Sequence, residues 1–253
     1  MYATERQQEI LGRARRDGRV EVKELAEALD VTPETVRRDL TALERRALLR
    51  RVHGGAIPVE RLGIEPAVSD REGRMAGQKE RIAKAALDEV PEGGAIILDA
   101  GTTTIRLAEM LPTDRELTVV THGLPVAMVL ATRSNITLHL LGGTVRGRTL
   151  AAVGPWAERS MQDVFADVAF LGTNGITAER GLTTPDLAEA GVKRALVAAA
   201  RRTVVLTDHT KFGRADFAQV APLSAVDTVI TDLDLDPDLA DEVEAAGPRV
   251  VRA

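Results

Sequence analysis

Two groups of residues in this chain have types and spacings that could do chemistry, and both suit the binding of negative charge. The first is Thr35, Arg37 and Arg38, just behind Thr32-Pro33, followed by Arg50, Arg51 and His53. An arginine fork pairs with a guanine edge or clamps a phosphate, and small hydroxyl side chains at a helix start let the backbone approach a duplex. Residues 35–53 hold six arginines against Asp39 and Glu44, so this stretch needs an anionic partner or a solvated face. Asp39 is expected to pair with Arg38 or a neighbour rather than to read a base. The second group is Leu98-Asp99-Ala100-Gly101-Thr102-Thr103-Thr104. Between a buried strand and a helix, such a turn collects free backbone N–H groups and hydroxyls where an anion is stabilised. A plain strand-to-helix connector has the same composition.

Four more polar loops follow apolar runs: Thr121-His122-Gly123, Gly142-Gly143-Thr144, Gly172-Thr173-Asn174-Gly175 and Asp208-His209-Thr210-Lys211. In a parallel sheet the carboxyl ends of all strands share one edge, so these loops can line one crevice. Lys193 follows Glu189 by one helical turn; it offers an ammonium to the same ligand or forms a surface i,i+4 pair. His122, His139 and His209 share no ligand spacing, and neither metal nor cofactor is expected.

The elements that must carry these residues are legible in outline. Ile10, Leu11 and Ala14 mark a first helix over residues 5–16, stopped by Asp17-Gly18. Val22, Leu25, Ala26 and Leu29 mark a second. Thr32 caps a third, with Pro33 at its first position and Val36, Leu40, Leu43 and Ala47 on its inner face. Short extended segments around Gly54-Gly55 then suit a β-ribbon. A helix-turn-helix reads DNA through the start of its second helix, which is where Thr35, Arg37 and Arg38 stand. Residues 58–77, with Pro58, Gly63, Pro66, Gly73 and Gly77, look like a linker between domains at 1–57 and 78–253. Beyond it, a helix at Gln78–Val90 leads into strands at Ala95–Leu98, Leu117–Val120, Ile136–Leu141, Val168–Leu171, Thr203–Leu206 and Thr228–Ile230. Helices at Thr104–Leu111, Pro125–Ala131, Pro155–Asp163 and Asp186–Ala200 alternate with them. This pattern predicts an α/β domain with a mostly parallel sheet.

Composition sets bounds on this reading. Of 253 residues, 44% are hydrophobic but only 2% aromatic, so the core must be aliphatic. No cysteine is present, which excludes disulfides, thiolate metal sites and cysteine nucleophiles. No apolar run reaches ~18 residues and no leader pattern opens the chain; a soluble cytoplasmic protein with no membrane partner is expected. The net charge of −5 is uneven: residues 1–61 hold 13 Lys and Arg against 11 Asp and Glu, the remainder 20 against 27.

Val31-Thr32-Pro33-Glu34-Thr35-Val36-Arg37-Arg38-Asp39-Leu40, followed by Arg51-Val52-His53-Gly54-Gly55-Ala56, closely resembles the winged helix-turn-helix of the DeoR family of transcription regulators. That family typically has serine where this chain has Thr32, and either hydroxyl caps a helix. Residues from about Gln78 to Asp232 resemble the family's sensor domain, whose fold is similar to ribose-5-phosphate isomerases and coenzyme A transferases. The resemblance implies a repressor of sugar-metabolism genes, a homodimer or homotetramer, that grips double-stranded operator DNA and answers to a phosphorylated sugar. It places Asp99, Gly101, Thr102, Thr103, Gly142, Gly143, Asn174, Gly175, Lys193, Asp208 and Lys211 at the effector, with Thr104 and Thr121 in the same loops. At His122 the family more often has asparagine. The strings Gly172–Ile176 and Gly181–Asp186 look like members tied to fructose genes, so a fructose phosphate is the expected ligand. The alternative is a sugar-phosphate isomerase-like enzyme with a DNA-binding appendage, because Asp99, Glu189, Lys193 and Asp208 could transfer protons.

Overall fold

Alternating apolar and polar spacings resolve into two compact units, Met1–Ile64 and Glu65–Ala253. The computed structural model describes residues 3–45, 48–52, 54–58 and 67–253, apart from the side chains of residues 4, 15 and 16. His53 and Ala47 of the sequence reading, and residues 59–66 of the expected linker, lie outside the described residues.

The first unit comprises α1 (Ala3–Asp17), β1 (Val20–Glu21), α2 (Val22–Ala28), α3 (Pro33–Arg45), β2 (Leu49–Val52) and β3 (Gly55–Pro58). Ile10 and Ala14 of α1, Val22, Leu25 and Ala26 of α2, and Val36, Leu40 and Leu43 of α3 close one aliphatic core. The strands form an antiparallel sheet ordered β1-β3-β2. Its middle strand runs so close to β1 that a Cβ on Gly55 would sit 2.0 Å from the Val20 carbonyl oxygen, so only glycine fits there.

The second unit begins with α4 (Val68–Glu72) and α5 (Ala76–Ala86). Then come β4 (Gly94–Leu98), α6 (Thr102–Met110), β5 (Leu117–Thr121), α7 (Leu124–Leu130), β6 (Ile136–Leu140), β7 (Thr144–Arg146), β8 (Ala151–Val153) and α8 (Pro155–Ser160). The chain continues through β9 (Ala166–Leu171), β10 (Gly175–Thr177), β11 (Gly181–Thr184), α9 (Leu187–Ala198) and β12 (Ala200–Leu206). It finishes with β13 (Ala218–Ala221), β14 (Thr228–Thr231), α10 (Pro237–Ala245) and β15 (Arg249–Arg252). Seven strands form one sheet, ordered β15-β14-β12-β9-β4-β5-β6, and every neighbouring pair is parallel. Successive residues of β4 feed opposite faces: Ile96 and Leu98 pack with Ile82 of α5 and Leu107 of α6, Ile97 with Ala157 of α8 and Val192 of α9. Burial on both faces explains why these strands read as unbroken apolar runs. The order reverses between β4 and β9, and it is at the carboxyl ends of such a switch point that open α/β sheets bind ligands. Two small antiparallel sheets, β7-β8 and β10-β11-β13, were not expected from the sequence.

Candidate DNA-binding face and ligand crevice

At the start of α3 the Thr32 hydroxyl accepts the Thr35 N–H at 3.3 Å and lies 3.0 Å from the Thr35 hydroxyl. The helix buries Val36, Leu40 and Leu43, and the 3.6-residue period therefore turns Arg37 and Arg38 outward, where both are exposed. Arg37 rests on Glu34 at 2.7 Å, a pair open to water on both sides and so weak enough for a phosphate to replace. The Glu44 carboxylate accepts the Arg51 N–H at 2.8 Å, and the Arg51 guanidinium reaches the Thr41 hydroxyl at 3.4 Å, fastening β2 to α3. Arg50 and Arg51 are exposed on β2. Thr35, Arg37, Arg38, Arg50 and Arg51 thus share one described unit. Asp39 does not pair with Arg38. It is buried and accepts from Arg6 Nε at 2.5 Å and Gln7 Nε2 at 3.0 Å, because the inner face of α3 meets α1; it ties two helices together.

In the second unit the parallel strands bring the loops after β4, β5, β6, β9 and β12 to one edge. Asp99 lies at its centre, fully buried. Its Oδ1 meets His122 Nε2 at 2.8 Å, and its Oδ2 accepts the Gly172 N–H at 2.8 Å and the Lys193 ammonium. Lys193 also donates to the Gly172 carbonyl at 3.0 Å. Burial pushes the Asp99 carboxyl up, but the Lys193 charge and the His122 bond outweigh it and hold it at about 2. His122 Nδ1 faces the Ala152 carbonyl at 3.0 Å, and Nε2 also lies 3.2 Å from the Ala100 N–H. Through this ring β8 is docked on the sheet edge. Arg146 of β7 closes the group from outside, bonded to Glu189 and 3.4 Å from Asp186. Glu189 and Lys193 are therefore not a surface pair: both are buried, 3.9 Å apart, inside a polar staple across the strand-order reversal.

The remaining expected residues lie in the turns, strands and loops of the same edge. Thr104 donates to the carbonyls of Asp99 and Gly101 at 2.7 and 2.9 Å, and Thr121 accepts the Gly123 N–H at 3.1 Å; both hydroxyls shape their turns. Gly175 lies within β10, where a Cβ would come within 2.4 Å of the Arg214 carbonyl oxygen. Gly101 caps α6, and Thr102 and Thr103 open it. Gly142, Gly143 and half-buried Asn174 stand on loops of the same edge.

A second charged group surrounds the loop after β12. Asp208 is buried and accepts the Thr210 N–H at 3.1 Å as well as its hydroxyl. Burial pushes its carboxyl up, while the Lys211 charge, the Thr210 bond and the Lys79 charge pull it below its usual range. His209 next to it is held by Asp232, from Nδ1 to Oδ1 at 2.8 Å and from its N–H to Oδ2 at 2.9 Å. Lys79, near the start of α5, was not foreseen. Its ammonium is buried, donates to the Arg71 carbonyl at 2.6 Å, and is lowered to about 8 by burial, with Asp208 opposing and Lys211, Arg71 and Arg74 adding to the effect. A lysine amid Gln78-Lys79-Glu80-Arg81 looks like any solvated helix start. The one sequence signal was its place on the Ile82 and Ala86 face.

Domain models match both units: one described as the DeoR-like helix-turn-helix domain over residues 6–61, one as the DeoR C terminal sensor domain over residues 74–233. The HTH-type transcriptional regulator GlpR of Haloferax volcanii is 42% identical over 93% of this chain and 91% of its own length. The HTH-type regulator FruR of Bacillus subtilis is 36% identical over 92% of both. The glycerol-3-phosphate regulon repressor of Escherichia coli is 32% identical, again over 92% of both. Ribose 5-phosphate isomerase A of Methanocaldococcus jannaschii superposes with TM-score 0.41 and 18% identity over 55% of each chain.

Proposed function

The chain belongs to the DeoR family of transcription regulators, and from that premise we propose that it represses sugar-metabolism genes and that a phosphorylated sugar sets its hold on DNA. The observation that carries the sensing half is that the charges of Lys79 and Lys211, on separate elements, both act on the buried Asp208 carboxyl. Two ammonium groups suit a phosphate, and a carboxylate beside them accepts sugar hydroxyls. Gly101, Thr102 and Thr103 at the α6 start, with Gly142, Gly143 and Asn174, complete the wall. The Asp99–Lys193 staple keeps that wall in place. Thr35, Arg37 and Arg38 meet the major groove, and Arg50, Arg51 and His53 the backbone or minor groove. A helix-turn-helix meets two half-sites, so the working form is a homodimer or homotetramer in the cytoplasm.

The strings Gly172–Ile176 and Gly181–Asp186 suggest fructose 1-phosphate as one probe, and the glycerol-3-phosphate regulon named for one relative suggests glycerol 3-phosphate as another. Gel-shift titration on a duplex from upstream of its own gene tests both halves. Specific retardation, lost in an Arg37→Ala/Arg38→Ala variant and altered by one probe but not by free fructose, is the expected result. Retardation that survives the double substitution would overturn the reading.

A further inference from the structure

Among the described residues the seven-stranded sheet has two open edges, β6 and β15, and the sequence treats them differently. β15 bears Arg249 and Arg252 at its ends, and charge on an edge strand discourages pairing. β6 reads Ile136-Thr137-Leu138-His139-Leu140, with no Asp, Glu, Lys or Arg. Thr137 and His139 are exposed. Leu140 is 47% exposed, and so, at 78%, is Met128 of α7, the helix packed against this strand. The Asn135 carbonyl accepts the Leu117 N–H at 3.1 Å, and the Leu141 N–H donates to the Thr121 carbonyl at 2.8 Å, so the odd-numbered positions face β5. Alternation turns the N–H and C=O groups of Ile136, Leu138 and Leu140 to the outer side. Ile136 gives its N–H to the Arg133 carbonyl at 3.2 Å; among the described residues no strand meets the rest. An uncharged, apolar edge of this kind is one that natural proteins cover.

Resting on the reading of two half-sites above, we propose that β6 pairs antiparallel with β6 of a second copy of this chain, joining the two sheets across a two-fold axis at Leu138. In that register Leu138 of one copy meets Leu138 of the other, Ile136 meets Leu140, and Thr137 meets His139. The outward-facing residues are the ones this register joins as hydrogen-bonded pairs. Their aliphatic side chains meet on the α7 face, and no like charges stand opposite each other. The same operation on β15 would set Arg249 against Arg252, a repulsive pair. Pairing β6 of one copy with β15 of the next is head-to-tail and closes only as a ring. The β6 joint is isologous, and its two-fold axis is the symmetry that a helix-turn-helix dimer shares with its paired half-sites.

The test is sedimentation equilibrium on the full chain and on two variants altered only at exposed positions of β6. Thr137→Lys/His139→Lys sets lysine against lysine on both sides of the axis. Thr137→Lys/His139→Glu sets lysine against glutamate at the same places, and circular dichroism should show both variants folded. The like-charge variant is expected to raise the dimer dissociation constant at least about tenfold, and the opposite-charge variant to assemble as the native chain does. Native-like assembly of the like-charge variant overturns the proposal, and so does loss of assembly in both variants, since the register would then be wrong. A native chain that stays monomeric while its retardation of DNA still depends on Arg37 and Arg38 overturns the joint and leaves the DNA-binding reading standing. The expected pattern without specific retardation upholds the joint and sinks the DNA-binding reading alone.

Discussion

At the scale of single residues, the staple around Asp99 and the cluster around Lys79 make opposite demands on charge. Asp99 and Lys193 neutralise each other out of water, so removing Asp99 leaves the buried ammonium with only the more distant Glu189, 3.9 Å away and already bonded to Arg146. Asp99→Ala is expected to destabilise the second unit by about 3–5 kcal/mol, and Asp99→Leu/Lys193→Leu by clearly less, in urea melts followed by circular dichroism. Because the folded carboxyl is held at about 2, below its unfolded value, its contribution is complete above that unfolded value and is lost as pH falls toward 2. Lys79 runs the other way. Its folded value of about 8 lies below its unfolded one, so the cost of burying the ammonium is present below pH 8 and disappears as pH rises beyond it. A phosphate needs that proton: fructose 1-phosphate affinity is expected to fall about tenfold between pH 7 and pH 9 in calorimetric titration, and Lys79→Arg to flatten the fall.

At the scale of elements, the tightest constraint is the approach of β3 to β1. Gly55→Val would drive a side chain into the Val20 carbonyl. Its expected outcome is loss of specific DNA retardation, with the melting transition of the second unit unchanged. Thr32→Ala removes the α3 cap and should cost about 1 kcal/mol in the first unit alone. The long elements were legible because their periodicity extends over several turns or a whole buried strand: Val36, Leu40 and Leu43 announced α3, and Ile96-Ile97-Leu98 announced β4. The three-residue strands β7, β8 and β10 were not, since three residues carry no readable period and their pairing is settled by contacts distant in sequence, such as His122 with Ala152. Helix α10 and β15 were passed over because four of the nine residues of Pro237–Ala245 are acidic and β15 bears an arginine at each end. In the crevice the loops were found. Thr104 and Thr121 have the composition of ligand groups and spend their hydroxyls on their own turns. Lys79 was hidden because its burial depends on α4 and the β12 loop, which a helical wheel does not include.

At the scale of the whole molecule, the charge that attracts DNA is local, because the chain as a whole carries −5. On the proposed reading the force comes from the α3 and β2 arginines, and each phosphate contact they make releases counterions. Operator affinity should therefore fall steeply with salt, and Arg37→Ala/Arg38→Ala should make the log–log slope shallower by about 1 for each arginine that touches a phosphate. An arginine that reads a base instead would leave the slope alone and relax discrimination between sequences. The same molecule is subject to a reciprocal constraint. If fructose 1-phosphate weakens operator binding by some factor, operator DNA must weaken fructose 1-phosphate binding by that same factor. Fluorescence titrations run in both orders at fixed salt should return equal factors. Unequal factors in the native chain would mean that the sugar phosphate and the duplex compete for one surface or that the assembly state changes during the titration.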